Sequence, residues 1–482
     1  MDDLLNLSLL ELRSRMARHE LSSTELVSFY LRRVAAYDKT GPRLNALRTL
    51  NLNLLCEAEA LDREERCDGT IRGPLHGIPI LIKDNIDVIG MPTTAGSTAL
   101  RDHYPSQDAP LVSALKESGA LIMGKANMTE WANYMTRDMP GGYSALGGQV
   151  RNPFGPETLS PGGSSSGSGA AVGAGLVPVA IGTETSGSIL SPAQAAGVFG
   201  LKPTLGLISR RGIIPIAASQ DTAGPLAKCV ADLALMLEVL AVSDPLDGAT
   251  NGSYSVNKKY LQALESASLE GVRLGVVRQP LEKMSEEQRK AFGVALEEMQ
   301  DLGAVLIEVE LPGMAGQQDW RSKVLLYEFK PALNAYLKGL ASHLPVHSLR
   351  ELLVYNSAHA TEELRYGQSL IQEAELLSGT LTEPEYIEHR FQDLLQSRQQ
   401  GIDYALNESG AEALIFPGIS AAAIGAKAGY PTLTLPLGLL DDGNPFSLTL
   451  AGTAFSEGSL LSLAHAYERA YPKRVWPKLD ES

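Results

Sequence analysis

Three residues of this 482-residue chain have the types and surroundings needed for covalent acyl transfer: Lys83, Ser164 and Ser188. Ser164 lies in segment 160–169, where nine of ten residues are serine or glycine. A serine hydroxyl is a poor nucleophile until a neighbouring group accepts its proton, and a neutral lysine can accept it directly or through a second serine. The three residues therefore suggest a relay in which Ser188 attacks a carbonyl carbon, Ser164 passes the proton and Lys83 receives it.

Lys83 follows the apolar run 78–82, which has the pattern of a buried strand. One interpretation is a strand that ends in solvent, where charged residues are expected. The other is a partly buried lysine at the carboxyl end of the strand, where open α/β sheets place their sites. To act as a base near neutral pH, Lys83 needs a pKa roughly three units below the reference value of about 10.4. Alternation along the strand would point Asp84 away from it.

Ser188 ends a stretch of small residues that follows a strand-like run at 177–181. The backbone N–H groups of Thr185, Ser186, Gly187 and Ser188 could converge on one oxygen and form an oxyanion hole, whose donors are individually worth roughly 3–4 kcal/mol. Taken singly, each serine of the relay is better explained as a turn or helix-cap hydroxyl. The prediction of a relay depends on the order and the context of the three residues together.

Two other patterns resemble catalytic motifs. Ser165 is the centre of a G-x-S-x-G match, but residues 156–161 do not read as the strand that a nucleophile elbow requires. Segment 119–126 has the spacing of a phosphate-binding loop, but Ala126 replaces the hydroxyl residue that holds Mg²⁺. We expect Ser165 not to be the nucleophile, and the second segment to be a buried strand.

The composition divides the chain into parts that must together position the relay. Residues 1–65 read as N-terminal helices, and residues 231–410 are charged and helix-rich. Residues 66–230 and 411–470 share short apolar runs punctuated by glycine and proline, which are typical of strands buried on both faces. Because this core composition stops and later returns, we predict a single α/β domain, 1–482, with a catalytic core and a helical insertion.

Local signals place particular elements within these parts. Ser22 and Glu25 have the spacing of a capping box, as do Ser285 and Gln288, so each pair should open a helix. The second of these helices lies between strand-like runs, which predicts a βαβ order inside the helix-rich region. These runs cover residues 272–277 and 304–311.

Charge and composition exclude several classes of function. A net charge of −15 argues against nucleic acid as a partner, and no apolar run approaches the roughly 20 residues that span a bilayer. The eight histidines form no metal-ligand motif, so we expect no metal. The acidic start predicts no signal peptide, and three scattered cysteines (Cys56, Cys67 and Cys229) suit a reducing cytoplasm.

Several motifs, in the right order, resemble those of the amidase signature family. They occupy residues 77–84, 124–128, 162–165, 187–189, 200–204 and 221–225. The resemblance is strong over 74–230, looser over 8–65 and 411–470, and nearly absent over 231–410.

This resemblance implies a mixed, twisted β-sheet covered by helices on both faces, and an amidase that needs no cofactor. It implies that Ser188 is the acyl-forming nucleophile, Ser164 the bridging serine and Lys83 the base. It further implies a cis peptide bond between Gly163 and Ser164, as in the family. The acyl-enzyme would then be hydrolysed by water.

The chain departs from the usual signature at Ser166, Gly169, Ser186 and Leu190. Many family members have arginine where this chain has Leu190, and an arginine could pair with an acidic substrate. Its replacement by leucine argues against malonamate-type and glutamine-type substrates.

Segments 130–133, 182–185 and 219–225 look closest to the peptide amidase branch, which removes the C-terminal amide from peptides. Trp131, Tyr134 and Gly163 are candidate substrate-binding residues, although buried packing explains the two aromatic residues equally well. We expect a monomer or homodimer. The alternatives are the amidase subunit of a glutamine-dependent tRNA amidotransferase complex and a catalytically silent binding protein of the same fold.

Overall fold

The computed structural model describes residues 2–253, 258–314 and 322–479. Its β-strands are β1 (Leu47–Leu50), β2 (Pro79–Lys83), β3 (Leu121–Ala126), β4 (Tyr143–Ser144), β5 (Gly148–Gln149), β6 (Val179–Glu184), β7 (Phe199–Lys202), β8 (Thr222–Ala227), β9 (Arg273–Val277), β10 (Val305–Val309), β11 (Ala413–Pro417), β12 (Thr432–Leu439) and β13 (Pro445–Ala451). Its α-helices are α1 (Leu9–Ala17), α2 (Ser23–Arg33), α3 (Leu54–Arg63), α4 (Pro110–Glu117), α5 (Ser166–Gly173), α6 (Leu190–Ala195), α7 (Val230–Leu240), α8 (Tyr260–Glu265), α9 (Glu286–Asp301), α10 (Val324–Lys338), α11 (Leu349–Ala358), α12 (Ala360–Glu363), α13 (Ser369–Glu375), α14 (Pro384–Leu394), α15 (Asp403–Ser409), α16 (Ala422–Ala428) and α17 (Glu457–Ala470).

One large mixed sheet organises the described part of the chain. It contains eleven strands in the order β1-β3-β2-β6-β8-β7-β12-β13-β11-β9-β10. Strand β2 runs parallel to both β3 and β6, whereas β8 is antiparallel to β6. The mixed sheet flanked by helices confirms the predicted fold class. The carboxyl ends of β2 and β6 therefore meet at one edge of the sheet, where parallel strands of α/β proteins place their sites.

The sheet draws strands from every part of the sequence. Strand β1 lies inside the region predicted to be N-terminal helices and pairs antiparallel with β3; at four residues it is too short to show an alternating pattern. Strands β9 and β10 are parallel neighbours on either side of α9 in the sequence, which confirms the predicted βαβ order. The helix-rich region thus extends the sheet as well as covering it.

Helix α5 is buried along its whole length because it is built from small residues. A Cβ atom added at Gly167 would lie 2.2 Å from the carbonyl oxygen of Asn127, and one added at Gly169 would lie 2.7 Å from that of Pro192. Real side chains do not tolerate such distances, so both glycines are required for the close approach of α5 to its neighbours. The small residues of this serine- and glycine-rich sequence therefore allow α5 to pack closely enough for its start to reach the sheet edge.

Sequence signals for helix starts and buried strands agree with the structure. Capping boxes form at Ser22 with Glu25 and at Ser285 with Gln288, at the starts of α2 and α9. The segment with the spacing of a phosphate-binding loop contains the buried strand β3. Among the described residues, no helix is both long enough and apolar enough to cross a membrane.

The interior position of β13, between β12 and β11 in the sheet, generates a stability prediction. Leu450 is 1 % exposed, so Leu450→Ala leaves a cavity in the core and should lower the free energy of unfolding by about 2–5 kcal/mol. Leu52, which is 97 % exposed, offers a control of the same chemistry, and Leu52→Ala should change stability by less than about 0.5 kcal/mol. Chemical denaturation of both variants measures the difference, and equal losses would contradict this account of the core.

Candidate active site

Strand β2 delivers Lys83 to the sheet edge in a fully buried position. Its Nζ lies 2.8 Å from Ser164 Oγ, 2.9 Å from Ser165 Oγ and 3.2 Å from the carbonyl oxygen of Thr183. Three oxygen acceptors thus fix the direction of the amine. The strand therefore ends in a buried polar site, which excludes the simpler interpretation of a strand that reaches solvent.

Burial lowers the pKa of Lys83 to about 7, because the charged ammonium is removed from water. The carboxylates of Glu184 and Asp221 act in the opposite direction. Asp84 points away from the amine, as alternation along the strand predicted: its carboxylate lies 3.1 Å from Arg48 Nε and 3.4 Å from Lys125 Nζ. The neighbouring acid therefore pairs with other cations, and the lysine has access to its neutral form near pH 7.

Ser164 lies in the loop before α5, where its hydroxyl contacts the amine of Lys83 and the preceding residue, Gly163, lies against the turn that carries Ser188. Ser164 is fully buried, and its carbonyl oxygen accepts a hydrogen bond from the backbone N–H of Thr129 at 3.2 Å. The next residue ties this loop to the nucleophile candidate, because the backbone N–H of Ser165 donates to the carbonyl oxygen of Ser188 at 3.3 Å. The loop is thus hydrogen-bonded on both sides.

The peptide bond between Gly163 and Ser164 is trans, as are all peptide bonds of the described residues. The cis bond implied by the family resemblance is therefore wrong for this structure. A trans bond between non-proline residues is favoured by about 2.5–4 kcal/mol, and here the loop brings Ser164 to Lys83 without giving up that preference.

Ser188 lies in the turn between β6 and α6 and is half-buried. A Cβ atom added at Gly163 would lie 3.4 Å from Ser188 Cα and 3.3 Å from the carbonyl oxygen of Gly187, so loop and turn are in direct contact. Within the described chain, the Ser188 hydroxyl has no hydrogen-bond partner, and no acceptor is present for the backbone N–H groups of Ser186, Gly187 and Ser188. An accessible hydroxyl therefore lies beside three unused donors.

Two carboxylates hold this turn in shape. Oε2 of Glu184 accepts from the backbone N–H groups of Ile189 and Leu190 at 2.6 and 3.0 Å. Asp221 accepts a hydrogen bond of 2.5 Å from the Thr185 hydroxyl, and the side-chain amide of Gln220 donates to the Thr185 carbonyl oxygen at 3.0 Å. The backbone from 185 to 188 is therefore fixed from both ends.

Asp221 also anchors the backbone at residues 216–217. Its second oxygen accepts hydrogen bonds from the N–H groups of Ile216 and Ala217, each at 2.8 Å. Burial raises the pKa of Asp221 to about 6, although the hydrogen bonds from Thr185 and from these amides favour its charged form. The carboxylate connects the candidate oxyanion turn to the wall of the cavity beside it.

A cavity of about 290 Å³ opens next to Thr183 and Thr185. The candidate substrate residues Trp131 and Tyr134 do not line it; they are 2 % and 8 % exposed and pack in the same hydrophobic cluster as Ile214 and Ile216, which do line it. Ala132, between them in the sequence, does line the cavity. Gly163 lies instead against the turn that carries Ser188.

Sequence reasoning overlooked three supporting residues. The sequence predicts that Ser165 is not the nucleophile; in the structure its hydroxyl contacts Lys83 and donates to the Thr183 carbonyl oxygen at 3.0 Å. Glu184 and Asp221 lie inside segments that the sequence analysis names. The sequence of a segment does not show which backbone N–H groups will donate hydrogen bonds to its carboxylates. Short polar residues flanking a predicted site are the one signal that could have suggested them.

The arrangement combines the parts of an acyl-transfer site: an accessible serine, a buried serine in contact with a lysine of lowered pKa, and unused backbone donors beside the nucleophile.

Comparison with known proteins adds independent information. The family model named Amidase matches residues 25–428. A probable amidase of Arabidopsis thaliana is 36% identical over 479 residues, covering 97% of this chain and 90% of the relative. The crystal structure of native peptide amidase from Stenotrophomonas maltophilia is 44% identical with a TM-score of 0.93, covering 98% of this chain and 99% of that chain. A glutamyl-tRNA(Gln) amidotransferase subunit from Lawsonia intracellularis is 31% identical over 504 residues, covering 98% of this chain and 99% of the relative.

The lowered pKa of Lys83 predicts how the reactivity of Ser188 depends on pH. Only the neutral amine accepts a proton, so phosphonylation by a fluorophosphonate should accelerate as the pH rises through about 7. In Asp221→Asn, a charge that raises the pKa of Lys83 is lost, and the inflection should move to lower pH. Mass spectrometry of the labelled protein measures the rates. A flat profile between pH 6 and 9, or an inflection unmoved in the variant, would contradict this account of the lysine.

The contacts of Ser165 predict a supporting role for its hydroxyl. Ser165→Ala removes a hydrogen bond to Lys83 and should slow the same labelling reaction about 10- to 100-fold, because hydrogen bonds to charged or ionisable groups are worth about 1.5–3 kcal/mol. Ser166 is an adjacent control, since it is equally buried and its hydroxyl has no partner among the described residues. Ser166→Ala should stay within about threefold of the unmodified protein. Equal effects of the two changes would mean that Ser165 serves packing alone.

Proposed function

This chain belongs to the amidase signature family and is an amide hydrolase, and from this premise we propose that it removes the C-terminal amide group from peptides, releasing ammonia. The observation that carries the proposal is the contact of 2.8 Å between the buried amine of Lys83 and the hydroxyl of Ser164, in a loop whose preceding residue, Gly163, lies against the turn that carries Ser188. The similarity to peptide amidase over 98% of the chain supports the choice of substrate.

In the proposed mechanism, Ser188 Oγ attacks the amide carbonyl carbon while its proton passes to Ser164, whose own proton passes to neutral Lys83. The carbonyl oxygen becomes negatively charged and accepts hydrogen bonds from the backbone N–H groups between Thr185 and Ser188. As the C–N bond breaks, the relay runs in reverse and the leaving nitrogen takes the proton, so ammonia departs and an ester with Ser188 remains. Water, deprotonated by the same relay, then hydrolyses this ester to the peptide acid and restores the serine.

The electrostatics of the site support this direction of proton transfer. A base works best when its pKa lies near the working pH, because it must be neutral before the reaction and charged during it. The pKa of Lys83, about 7, meets that condition. When the lysine is protonated in the transition state, the nearby carboxylates of Glu184 and Asp221 stabilise the new positive charge.

A second candidate is the amidase component of a tRNA-dependent amidotransferase, because a protein of that kind matches the chain over nearly its full length. The residue after the Gly-Ser-Ile motif argues against it. Leu190 is fully buried and offers no charge to the carboxylate of a glutamine substrate. Ammonia release from free glutamine, and none from peptide amides, would favour the amidotransferase over the peptide amidase.

We also propose that the protein works in the cytoplasm as a monomer or homodimer without a nucleic acid partner. Its three cysteines are free thiols, which suits a reducing compartment, and its net charge of −15 disfavours polyanions.

The proposed nucleophile predicts a selective loss of activity. Ser188→Ala should lower kcat for ammonia release from a peptide amide by at least about 10⁴-fold, and Lys83→Ala should lose nearly as much because members of one catalytic unit act together. Ser186→Ala is the matched control: its side chain is exposed and its backbone N–H is kept, so it should retain most activity. Substantial turnover by Ser188→Ala would refute the assignment. The assay uses peptide amides, aliphatic amides, malonamate and glutamine, and the preferred amide identifies the branch.

A further inference from the structure

The cavity beside the turn at residues 185–188, the proposed oxyanion turn, is distinct from the space around Lys83 and Ser164. Its lining includes Thr183 and Thr185, which lie on one side of the turn, but neither Gly163 nor Ser164. In the proposed mechanism the leaving nitrogen takes its proton from Ser164 and must therefore lie against the 163–164 loop. The carbonyl oxygen lies at the turn itself. The remaining substituent of the carbonyl carbon, the acyl part, is then the part of the substrate that points towards the cavity.

The longest wall of the cavity is apolar. Four consecutive residues, 213–216, line it, three of them isoleucine. Ile214 and Ile216 are each 5 % exposed, so this wall belongs to the packed interior and not to a free surface loop. Burying an aliphatic or aromatic group against such a wall is favourable in proportion to the apolar area removed from water.

This wall is fixed to the catalytic groups by hydrogen bonds. The backbone N–H of Ile214 donates to the carbonyl oxygen of Asn85 at 2.8 Å, two residues after Lys83. The backbone N–H of Ile216 donates to Asp221 at 2.8 Å, and the same carboxylate accepts from the Thr185 hydroxyl. The position of the wall relative to the turn at residues 185–188 is therefore set by short hydrogen bonds, as a specificity pocket requires.

On the other side of the cavity, Ala132 contributes a small side chain from an unusual backbone. Trp131, Ala132 and Asn133 all have positive φ, with values of 47°, 54° and 68°. A non-glycine residue in the left-handed region is uncommon, and such strain persists only where the surrounding structure enforces it. The backbone at residues 131–133 directs the two large aromatic side chains at 131 and 134 into the core. Only the methyl group of Ala132 is left at the cavity.

The charged groups of the cavity are already engaged by the protein. Asp221 accepts three hydrogen bonds, and Arg210 donates to Asp247 from Nε at 2.9 Å and to the same carboxylate from Nη2. Arg211 donates from Nε to Asp244 at 2.9 Å. Three carboxylates line the cavity against two guanidinium groups: Glu184, Asp221 and Asp247 against Arg210 and Arg211. A carboxylate on the substrate would meet an excess of negative charge and two guanidiniums that are already paired.

We propose that this cavity receives the side chain of the C-terminal residue of the peptide amide, and that it selects large apolar side chains over glycine and rejects acidic ones. This inference rests on the proposed function, because it assumes that Ser188 attacks the amide of that residue. The apolar wall supplies the preference for leucine- and phenylalanine-sized groups, and the surplus of carboxylates supplies the rejection of aspartate.

The first test measures kcat/KM of the unmodified protein for N-acetylglycyl-X-amides in which X is glycine, alanine, leucine, phenylalanine or aspartate. We expect the leucine and phenylalanine amides to exceed the glycine amide by at least about tenfold, since one methylene in an apolar pocket is worth roughly 10- to 200-fold. The aspartate amide should be the poorest substrate. Equal values for glycine, leucine and phenylalanine, or an aspartate amide as good as the leucine amide, would overturn the inference while leaving the proposed function in place. No ammonia from any of the five would overturn the proposed function itself.

The second test fills the cavity. Ile216→Trp should lower kcat/KM for the leucine and phenylalanine amides by at least about tenfold and for the glycine amide by less than about threefold. Ile387→Trp is the matched control, because Ile387 lies on α14 and is 57 % exposed, and it should change neither value. The glycine amide reports whether the Ile216 variant is folded and active. An equal loss on all substrates in a variant whose circular dichroism spectrum and thermal unfolding match those of the unmodified protein would overturn the inference.

A change of leaving group separates the two sides of the scissile bond. The ratio of rates for leucine amide and leucine N-methylamide should be the same in the unmodified protein and in Ile216→Trp, since the added methyl group lies at the 163–164 loop. A change in that ratio would place the leaving group in the cavity and would overturn the inference.

Discussion

The removal of one lysine amine from water is the constraint on which the rest of this structure depends. Shifting the pKa of Lys83 from its ordinary value to about 7 corresponds to roughly 4–5 kcal/mol of unfavourable interaction with its charged form. The fold keeps Lys83 away from water by placing it at the end of β2. This strand is buried on both faces and is paired with β3 on one side and with β6 on the other. Asp84, the acid that could cancel the effect, is turned to Arg48 and Lys125.

The same burial explains the small residues around the site. The amine needs acceptors within 3 Å, and these come from a loop and a helix start that must approach the sheet more closely than side chains allow. Gly167 and Gly169 permit that approach, and Ser164 and Ser165 then present hydroxyls to the amine without bulk. The serine- and glycine-rich stretch is thus as much a product of packing as of chemistry.

Two carboxylates couple the geometry of the site to its electrostatics. Glu184 and Asp221 hold the turn around Ser188, yet each raises the pKa of Lys83 and so opposes the effect of burial. The result is a lysine whose pKa lies near neutral pH, so that both its charged and its neutral forms are accessible there. Asp221 also fixes Ile216, so the same carboxylate raises the pKa of Lys83 and holds the apolar wall of the cavity.

By itself, the sequence determined many of the elements and the candidate catalytic residues. Apolar runs and capping boxes predicted β2, β3, β6 and helices α2 and α9, because periodicity and caps are local properties of the chain. Motif order singled out Lys83, Ser164 and Ser188. Only the tertiary structure decided the short strand β1, the trans bond before Ser164, the roles of Ser165 and Asp221, and the lining of the cavity. Each of these depends on contacts between residues distant in the chain, such as the 81 positions between Lys83 and Ser164, and pKa values and pockets arise from such contacts.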